Sequence, residues 1–220
     1  MSRTTETMTP QLQEYLIAHN RPAPDQLLRD LAAQTAAEFT ELAEMQIAPE
    51  QGAFLTLLTK VVAPRFAVEV GTFTGYSSLC IARGLPAGGR LLCCDVSEDY
   101  TSVAQDYWER AGVADRIELE VAPAIETLRA LPKEQTIGLA FLDADKAGYI
   151  DYWDEVVARM PSGGVLLVDN VFSGGRVVDE HSDSETVAAI RRFNDHAAAD
   201  ERVEVAMLPI ADGLTMARRL

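Results

Sequence analysis

The spacing of apolar residues changes at Pro64. Before it, apolar side chains recur every three or four residues, and this pattern predicts three helices between residues 11 and 63. The second is a longer helix that carries the apolar residues from Leu27 to Leu42. Pro49 fits the first turn of the third helix, and Pro64 ends that helix, because proline lacks the amide hydrogen that a helix interior needs.

After Pro64, short apolar runs alternate with longer amphipathic segments. The runs span Phe66–Val70, Arg90–Cys94, Ile117–Val121, Ile137–Leu142 and Gly164–Val168. They are too short for helices and show no alternating polar face, so we expect parallel strands that are covered on both sides. Helices are predicted between them, near residues 76–84, 98–111, 123–130 and 147–159. This alternation is typical of a doubly wound α/β sheet.

The last part of the chain departs from this alternation. A helix near residues 184–199 is followed by two strand-like runs, Val203–Pro209 and Leu214–Arg219, which are joined through Asp212 and Gly213. An Asp-Gly turn between two such runs predicts an antiparallel pair at one edge of the sheet. The predicted fold class is therefore α/β, with N-terminal helices and a sheet of about seven strands that is mostly parallel and has an antiparallel edge strand.

Length and charge narrow the class of protein. The 220 residues are expected to form a single domain, 1–220, with a helical segment at 1–63 and an α/β core at 64–220. Asp and Glu number 34 against 19 Lys and Arg, and this formal charge of -15 argues against nucleic acid as a partner. No apolar run approaches the ~18 residues of a membrane span, and the N-terminus has no apolar leader, so a cytoplasmic protein without membrane contact is predicted.

The end of the first predicted strand carries a glycine-rich turn. Gly71 and Gly75 allow a tight turn and a close approach of ligand to backbone, and the next helix offers free amides to an anionic group. A dinucleotide fingerprint needs a glycine where this chain has Phe73, which argues against NAD. Glu69 suits a ligand with an ammonium group, and Asp95, at the end of the second strand, suits ribose hydroxyls. Together these features indicate S-adenosyl-L-methionine (SAM).

Polar residues also end the fourth and fifth predicted strands. Asp143, Asp169 and Asn170 would place two carboxylates and an amide oxygen at one edge of the sheet, a set that suits Mg²⁺ and does not exclude Mn²⁺ or Ca²⁺. Lys146 could act as a general base beside such an ion, because a nearby cation disfavours its ammonium form. The alternative is structural: Asp145 as a helix cap, Lys146 as a solvated charge and Asp169 as a turn residue.

These motifs together resemble the cation-dependent class I O-methyltransferases, the group of caffeoyl-CoA and catechol O-methyltransferases, in their compact bacterial form. The resemblance runs from about Met45 to Arg219 and includes the turn at Val68–Ser77, the block Asp143–Lys146, the pair Asp169-Asn170 and the closing Leu208–Leu214. It implies a Rossmann-like doubly wound sheet, a homodimer, and an N-terminal helical segment that covers the active site or joins the dimer interface.

The resemblance also implies roles for single residues. Asp143, Asp169 and Asn170 match the family's metal ligands, and Lys146 matches its catalytic base. The positions that match SAM contacts are Met45, Glu69, Gly71, Phe73, Ser77, Asp95, Ala124 and Asp143. The segment 172–183 should line the substrate pocket.

The reaction that follows is methyl transfer to one hydroxyl of a vicinal dihydroxy aromatic, a catechol-type small molecule. Because the chain is acidic, we expect a free catechol or a hydroxylated intermediate rather than a CoA thioester. Three alternatives stay open: a metal-independent methyltransferase acting on a small amine or carboxylate, an NAD-dependent oxidoreductase, and a SAM-binding protein without activity. Insensitivity to EDTA would favour the first, while Phe73 argues against the second.

Overall fold

Three helices precede the sheet. The computed structural model describes residues 8–134 and 136–220. The N-terminal helices are α1 (Pro10–His19), α2 (Gln26–Glu38) and α3 (Pro49–Val62), and a 3-10 helix (Thr40–Met45) lies between α2 and α3. The carboxylate of Asp25 accepts a hydrogen bond from the Leu28 amide and caps α2, while prolines begin α1 and α3.

The predicted longer helix is divided in the structure. Its first part ends at Glu38, Phe39 has φ -124° and ψ 49°, and Leu42 belongs to the 3-10 helix. The bend lets the Phe39 ring contact Phe73 and Tyr100, at centroid distances of 5.8 and 5.1 Å. Leu42 follows Phe39 by three residues, so the apolar spacing continues past the bend although Leu42 is exposed, which is why the spacing alone predicted one continuous helix.

Seven strands form one sheet. They are β1 (Phe66–Val70), β2 (Arg90–Asp95), β3 (Ile117–Val121), β4 (Leu139–Leu142), β5 (Val165–Val168), β6 (Val203–Leu208) and β7 (Leu214–Arg219). Their order is β3-β2-β1-β4-β5-β7-β6. β7 runs in the opposite direction to the other six strands, so it is antiparallel to both of its neighbours. The predicted fold class is confirmed, with one refinement: the antiparallel strand β7 is next to last, and β6 forms the edge.

Helices cover both faces of this sheet. They are α4 (Tyr76–Gly84), α5 (Glu98–Arg110), α6 (Ala124–Ala130), α7 (Tyr149–Ala158) and α8 (Glu185–Ala199). Neighbouring residues of β1 belong to opposite apolar layers, Ala67 to one and Val68 to the other. The central strands are therefore buried on both sides, as the apolar runs predicted. Within the described residues, no helix combines the length and the apolar character needed to cross a membrane.

The prediction that every strand is covered on both sides is wrong for β3. Along this strand the partly buried Ile117 and Leu119 alternate with the exposed Glu118 and Glu120. The reason is its position: β3 lies at the edge of the sheet and pairs only with β2.

The order of the strands fixes where a ligand can bind. The chain adds β2 and β3 on one side of β1, and then returns to add β4 and β5 on the other side. The loops after β1 and β4 therefore leave the sheet in opposite directions and open a crevice at the carboxyl ends of these two strands.

Candidate active site

A cavity of about 930 Å³ lies in this crevice. Its volume is in the range of sites that hold a small molecule or cofactor. The structure brings ten of the eleven predicted site residues to its wall: Met45, Gly71, Phe73, Ser77, Asp95, Ala124, Asp143, Lys146, Asp169 and Asn170. Glu69 is the exception, since it is fully buried and does not line the cavity.

The glycine-rich turn packs directly against the end of β4. Gly71 has φ +91°, and a Cβ atom built on it would lie 2.1 Å from the carbonyl oxygen of Asp143. Gly75 has φ +87°, and its Cβ would lie 2.6 Å from the Cβ of Ala104 in α5. Both positions need glycine, because a side chain would meet neighbouring residues in addition to the unfavourable dihedral angle.

Asp95 holds this turn in place. One of its carboxylate oxygens accepts hydrogen bonds from the amides of Thr72 and Phe73, at 2.9 and 2.8 Å. The other oxygen accepts from the amides of Val96 and Ser97, at 2.7 and 3.0 Å. A carboxylate has about four acceptor sites, so a ribose hydroxyl could bind Asp95 only by sharing an oxygen with one of these amides.

Glu69 lies in the sheet, out of contact with the cavity. The thiol of Cys93 donates to one of its oxygens at 3.4 Å, and the other oxygen has no partner within the described part of the chain. Burial raises the pKa of Glu69 from 4.5 to about 8, so the side chain is mostly neutral at pH 7. Glu69 therefore offers no exposed carboxylate for the predicted contact with the ammonium group of SAM.

This buried carboxyl group predicts how stability changes with pH. Since the pKa of Glu69 is higher in the folded state, its contribution to stability is present below pH 4.5 and is lost as the pH rises to about 8. Glu69→Gln removes the titration. Without SAM, the stability of the variant relative to wild type should therefore rise from about pH 4.5 to about pH 8, by up to about 1.4 kcal/mol per pH unit, and level off above pH 8. Melting temperatures of the two proteins across this range measure the difference. A constant difference across this range would contradict the assignment.

The oxygens of Asp143 and Asn170 converge on one point. The Lys146 ammonium group occupies it, 3.0 Å from Oδ1 of Asp143 and 2.7 Å from Oδ1 of Asn170. Asn170 has φ +57°, a left-handed conformation that asparagine tolerates better than most residues. Asp169 lies beside them; its Oδ1 accepts from the Asn170 amide at 2.7 Å, and its Oδ2 accepts from Gln51 at 2.7 Å.

The carboxylates of Asp143 and Asp169 share one positive charge, that of Lys146. Burial raises the pKa of Asp143, although the ammonium group of Lys146 opposes this effect. Burial and the nearby charge of Asp143 both raise the pKa of Asp169. A bound divalent cation would reverse these shifts, because it favours the ionised form of each carboxylate. The donor set of two carboxylates and one amide oxygen therefore fits a hard cation such as Mg²⁺.

A buried tyrosine holds Lys146 from the other side. The hydroxyl of Tyr149 accepts a hydrogen bond from Lys146 at 2.7 Å and donates one to the carbonyl oxygen of Asp169 at 3.1 Å. Burial raises the pKa of Tyr149 well above 10, so its hydroxyl keeps its proton.

Asp145 caps the 3-10 helix Lys146–Gly148 by accepting from the Gly148 amide, as the structural alternative predicted for this residue.

The sequence analysis missed Gln51. This residue is fully buried in α3, and its amide nitrogen donates to the Asp169 carboxylate. A single glutamine in a helix is usually solvated, so its residue type carries no signal. Its spacing does indicate burial, because Gln51 precedes the buried Leu55 by one helical turn and lies on the same face of the helix.

The wall beyond Asn170 differs from the prediction. No residue of 172–183, all within the described part of the chain, lines the cavity, whereas Ala211 and Asp212 do. Phe172 instead covers Gly213, where a Cβ atom would lie 2.5 Å from the Phe172 ring. The loop between β6 and β7 therefore takes the place that the sequence analysis gave to 172–183.

Comparison with known proteins places this site in a family. A family model described as O-methyltransferase matches residues 19–220. The chain is 38% identical over 210 residues to "Probable caffeoyl-CoA O-methyltransferase 1" of Dictyostelium discoideum, with 94% of this chain and 90% of that relative covered.

Solved structures give the same result. The O-methyltransferase from Bacillus cereus in complex with SAH superposes with a TM-score of 0.86 at 31% identity, covering 96% of this chain and 97% of that one. The O-methyltransferase TomG from Streptomyces achromogenes in complex with SAM superposes with a TM-score of 0.85 at 30% identity, covering 95% and 96%. The chain therefore belongs to the O-methyltransferase family, and the prediction of a SAM-dependent O-methyltransferase is confirmed.

Proposed function

We propose that this protein is a Mg²⁺-dependent enzyme that methylates one hydroxyl of a vicinal dihydroxy aromatic, a catechol-type small molecule. The observation that carries the proposal is the convergence of Asp143 and Asn170, with Asp169 beside them, on the Lys146 ammonium group in the cavity that the glycine-rich turn also lines. Mn²⁺ and Ca²⁺ would suit the same oxygen ligands.

Asp143, Asp169 and Asn170 would hold the cation. When bound, Mg²⁺ supplies a Lewis acid that lowers the pKa of a hydroxyl group and orients an acceptor with two adjacent oxygens. The need for such help is large: a phenol with a pKa of about 10 is ionised in only about one molecule in a thousand at pH 7, a deficit of roughly 4 kcal/mol.

Lys146 is the proposed general base. It faces the cavity and is held by Asp143, Asn170 and Tyr149, three oxygens that fix the position of its nitrogen. With its ammonium form disfavoured by a divalent cation, Lys146 would accept the proton of the reacting hydroxyl. The oxygen would then bond to the methyl carbon of SAM as the bond from that carbon to sulfur breaks, and S-adenosylhomocysteine would leave with the electron pair of the broken bond. Both reactants are held in one cavity.

The SAM site is proposed from the remaining lining residues. The backbone at Gly71 and Phe73 and the start of α4 at Ser77 would approach the amino-acid end of SAM, and Asp95 would approach the ribose. Met45, Ala124 and Asp143 complete the contacts that we assign to SAM. Glu69 would act from behind the turn, where its unpartnered oxygen needs a hydrogen-bond donor.

The test is an assay of the purified protein with SAM and paired acceptors. Methylcatechol should be methylated with Mg²⁺, the activity should disappear with EDTA and return with added Mg²⁺, and a cresol of the same size with one hydroxyl should be inert. Asp169→Asn should weaken Mn²⁺ binding in a titration without substrate. Activity that is unchanged by EDTA would contradict the proposal and support the metal-independent alternative.

Three further expectations stay predictions. The first is that residues 1–220 form a single domain; the second is a homodimer, which light scattering coupled to gel filtration can test. The third is a cytoplasmic location. The 3-10 helix Thr40–Met45 lines the cavity, which supports the idea that the N-terminal segment covers the active site.

A further inference from the structure

Several acidic side chains line the cavity in addition to the proposed metal and SAM contacts. Four such residues line it: Glu41, Glu44, Asp145 and Asp212. None of the four forms an ion pair with a lysine, arginine or histidine in the described part of the chain. Their charges therefore act on whatever enters the cavity, since low-dielectric walls focus the field of a charged cleft.

The cavity has little positive charge to oppose them. Among the described residues that line it, Lys146 is the one lysine or arginine. All three of its hydrogen-bonding positions are used, by Asp143, Tyr149 and Asn170. A bound divalent cation would be balanced by Asp143 and Asp169, which leaves the outer carboxylates uncompensated.

Asp212 is the outer carboxylate that contacts the segment following Asn170. One of its oxygens accepts a hydrogen bond from the Gly174 amide at 2.7 Å, and its carbonyl oxygen accepts from the Phe172 amide at 2.9 Å. It is thus fixed beside the segment that continues from Asn170. Glu41 and Glu44 line the cavity from the 3-10 helix Thr40–Met45, and both are exposed.

The segment that leaves this wall does not supply the missing positive charge. Asp179, Glu180 and Asp183 are exposed there. Its arginine, Arg176, turns back and donates from its guanidinium group to the backbone and hydroxyl oxygens of Ser173. An anionic group that extends from the acceptor out of the cavity would therefore meet several carboxylates and no basic side chain free to pair with it among the described lining residues.

We propose that the acceptor is a small catechol whose substituent is uncharged or carries an ammonium group, and that Glu44 and Asp212 set this preference. This inference rests on the proposed function and narrows it to a substrate class. Catechols that carry a carboxylate are poor acceptors, and polyanionic thioesters of CoA are the poorest. When the ring of such a molecule lies in the cavity, the outer carboxylates repel its negatively charged substituent. The chain thus departs from the acceptor named in its relative from Dictyostelium discoideum.

The experiment compares acceptors of matched size. The values of kcat/KM are measured with Mg²⁺ for methylcatechol, vicinal dihydroxybenzylamine, protocatechuate and caffeoyl-CoA. We expect the amine to exceed protocatechuate by about tenfold at low ionic strength, with the ratio shrinking as salt rises above about 0.15 M, because the outer carboxylates are exposed to screening. Caffeoyl-CoA should be the poorest acceptor.

Charge-neutral variants separate the effect of the cavity from the intrinsic reactivity of each catechol. The double variant Glu44→Gln, Asp212→Asn should raise kcat/KM for protocatechuate and lower it for the amine, each by about threefold or more, while methylcatechol changes little. Asparagine keeps an oxygen for the Gly174 amide. The control Glu118→Gln, Glu120→Gln makes the same change of charge on the exposed edge strand β3 and should leave all ratios as in wild type.

The outcomes are distinct. If protocatechuate or caffeoyl-CoA equals the amine in wild type, or if the β3 control shifts the ratios as much as the cavity variant does, the charge preference is wrong although the proposed function stands. If SAM binds but not even methylcatechol is methylated with Mg²⁺, the proposed function fails and the preference fails with it.

Discussion

Lys146→Met is expected to lower kcat for methylcatechol by about 10²–10⁴-fold, the usual effect of removing a general base. The methionine keeps an unbranched side chain but cannot accept the proton of the reacting hydroxyl. Binding of SAM should change little, because Lys146 is not itself an assigned SAM contact and only one of its three hydrogen-bond partners, Asp143, is. Steady-state kinetics together with calorimetric titration of SAM would measure both effects.

A second acceptor separates proton transfer from structural damage. Nitrocatechol ionises more easily than methylcatechol, so much less of its methylation should depend on a base, and Lys146→Met should lose far less activity with it. Mn²⁺ should bind the variant at least as tightly as wild type, because the ammonium group that contacts Asp143 and Asn170 is gone. Equal losses with both acceptors would show that Lys146 supports the site without accepting the proton.

The sequence predicted the sheet well because its central strands are buried on both faces. A short apolar run such as Phe66–Val70 fits a strand that is covered on both faces, and the structure has β1 with the same bounds as the predicted strand. The bend at Phe39 was missed because Leu42 follows Phe39 by three residues, so the apolar spacing continues through the bend although Leu42 is exposed. The exposure of β3 depends on strand order, which spacing along the chain does not determine.

The same distinction applies to the candidate site. Asp95, Asp143 and Asp169 follow parallel strands directly, and the carboxyl ends of such strands meet at one edge, so their proximity could be predicted. Gln51 reaches Asp169 from a helix far away in the chain, and no local pattern reveals that contact. Glu69 precedes the turn by two residues, yet the alternation of side chains along β1 places its side chain on a covered face of the sheet, where it is buried.

Gly71→Ala is the change expected to damage the site most through the backbone. A positive φ costs an alanine about 1–2 kcal/mol, and the new methyl group would lie 2.1 Å from the carbonyl oxygen of Asp143, which must move to admit it. Overpacking of this kind adds typically 1–3 kcal/mol. We therefore expect a loss of roughly 2–5 kcal/mol of stability and a fall of the melting temperature by roughly 4–20 °C. Binding of SAM should weaken at least about tenfold, because the turn and the end of β4 separate.

Gly112→Ala provides the matched control for this prediction. Gly112 also has a positive φ, of +67°, but nothing lies within 4 Å of the Cβ atom that alanine would add. This variant carries the dihedral cost alone, about 1–2 kcal/mol, and should lower the melting temperature by roughly 2–6 °C while SAM binds as in wild type. The difference between the two variants isolates the contact between Gly71 and Asp143. If both variants lose the same stability and retain SAM equally, the close approach of β1 and β4 does not hold the SAM site together.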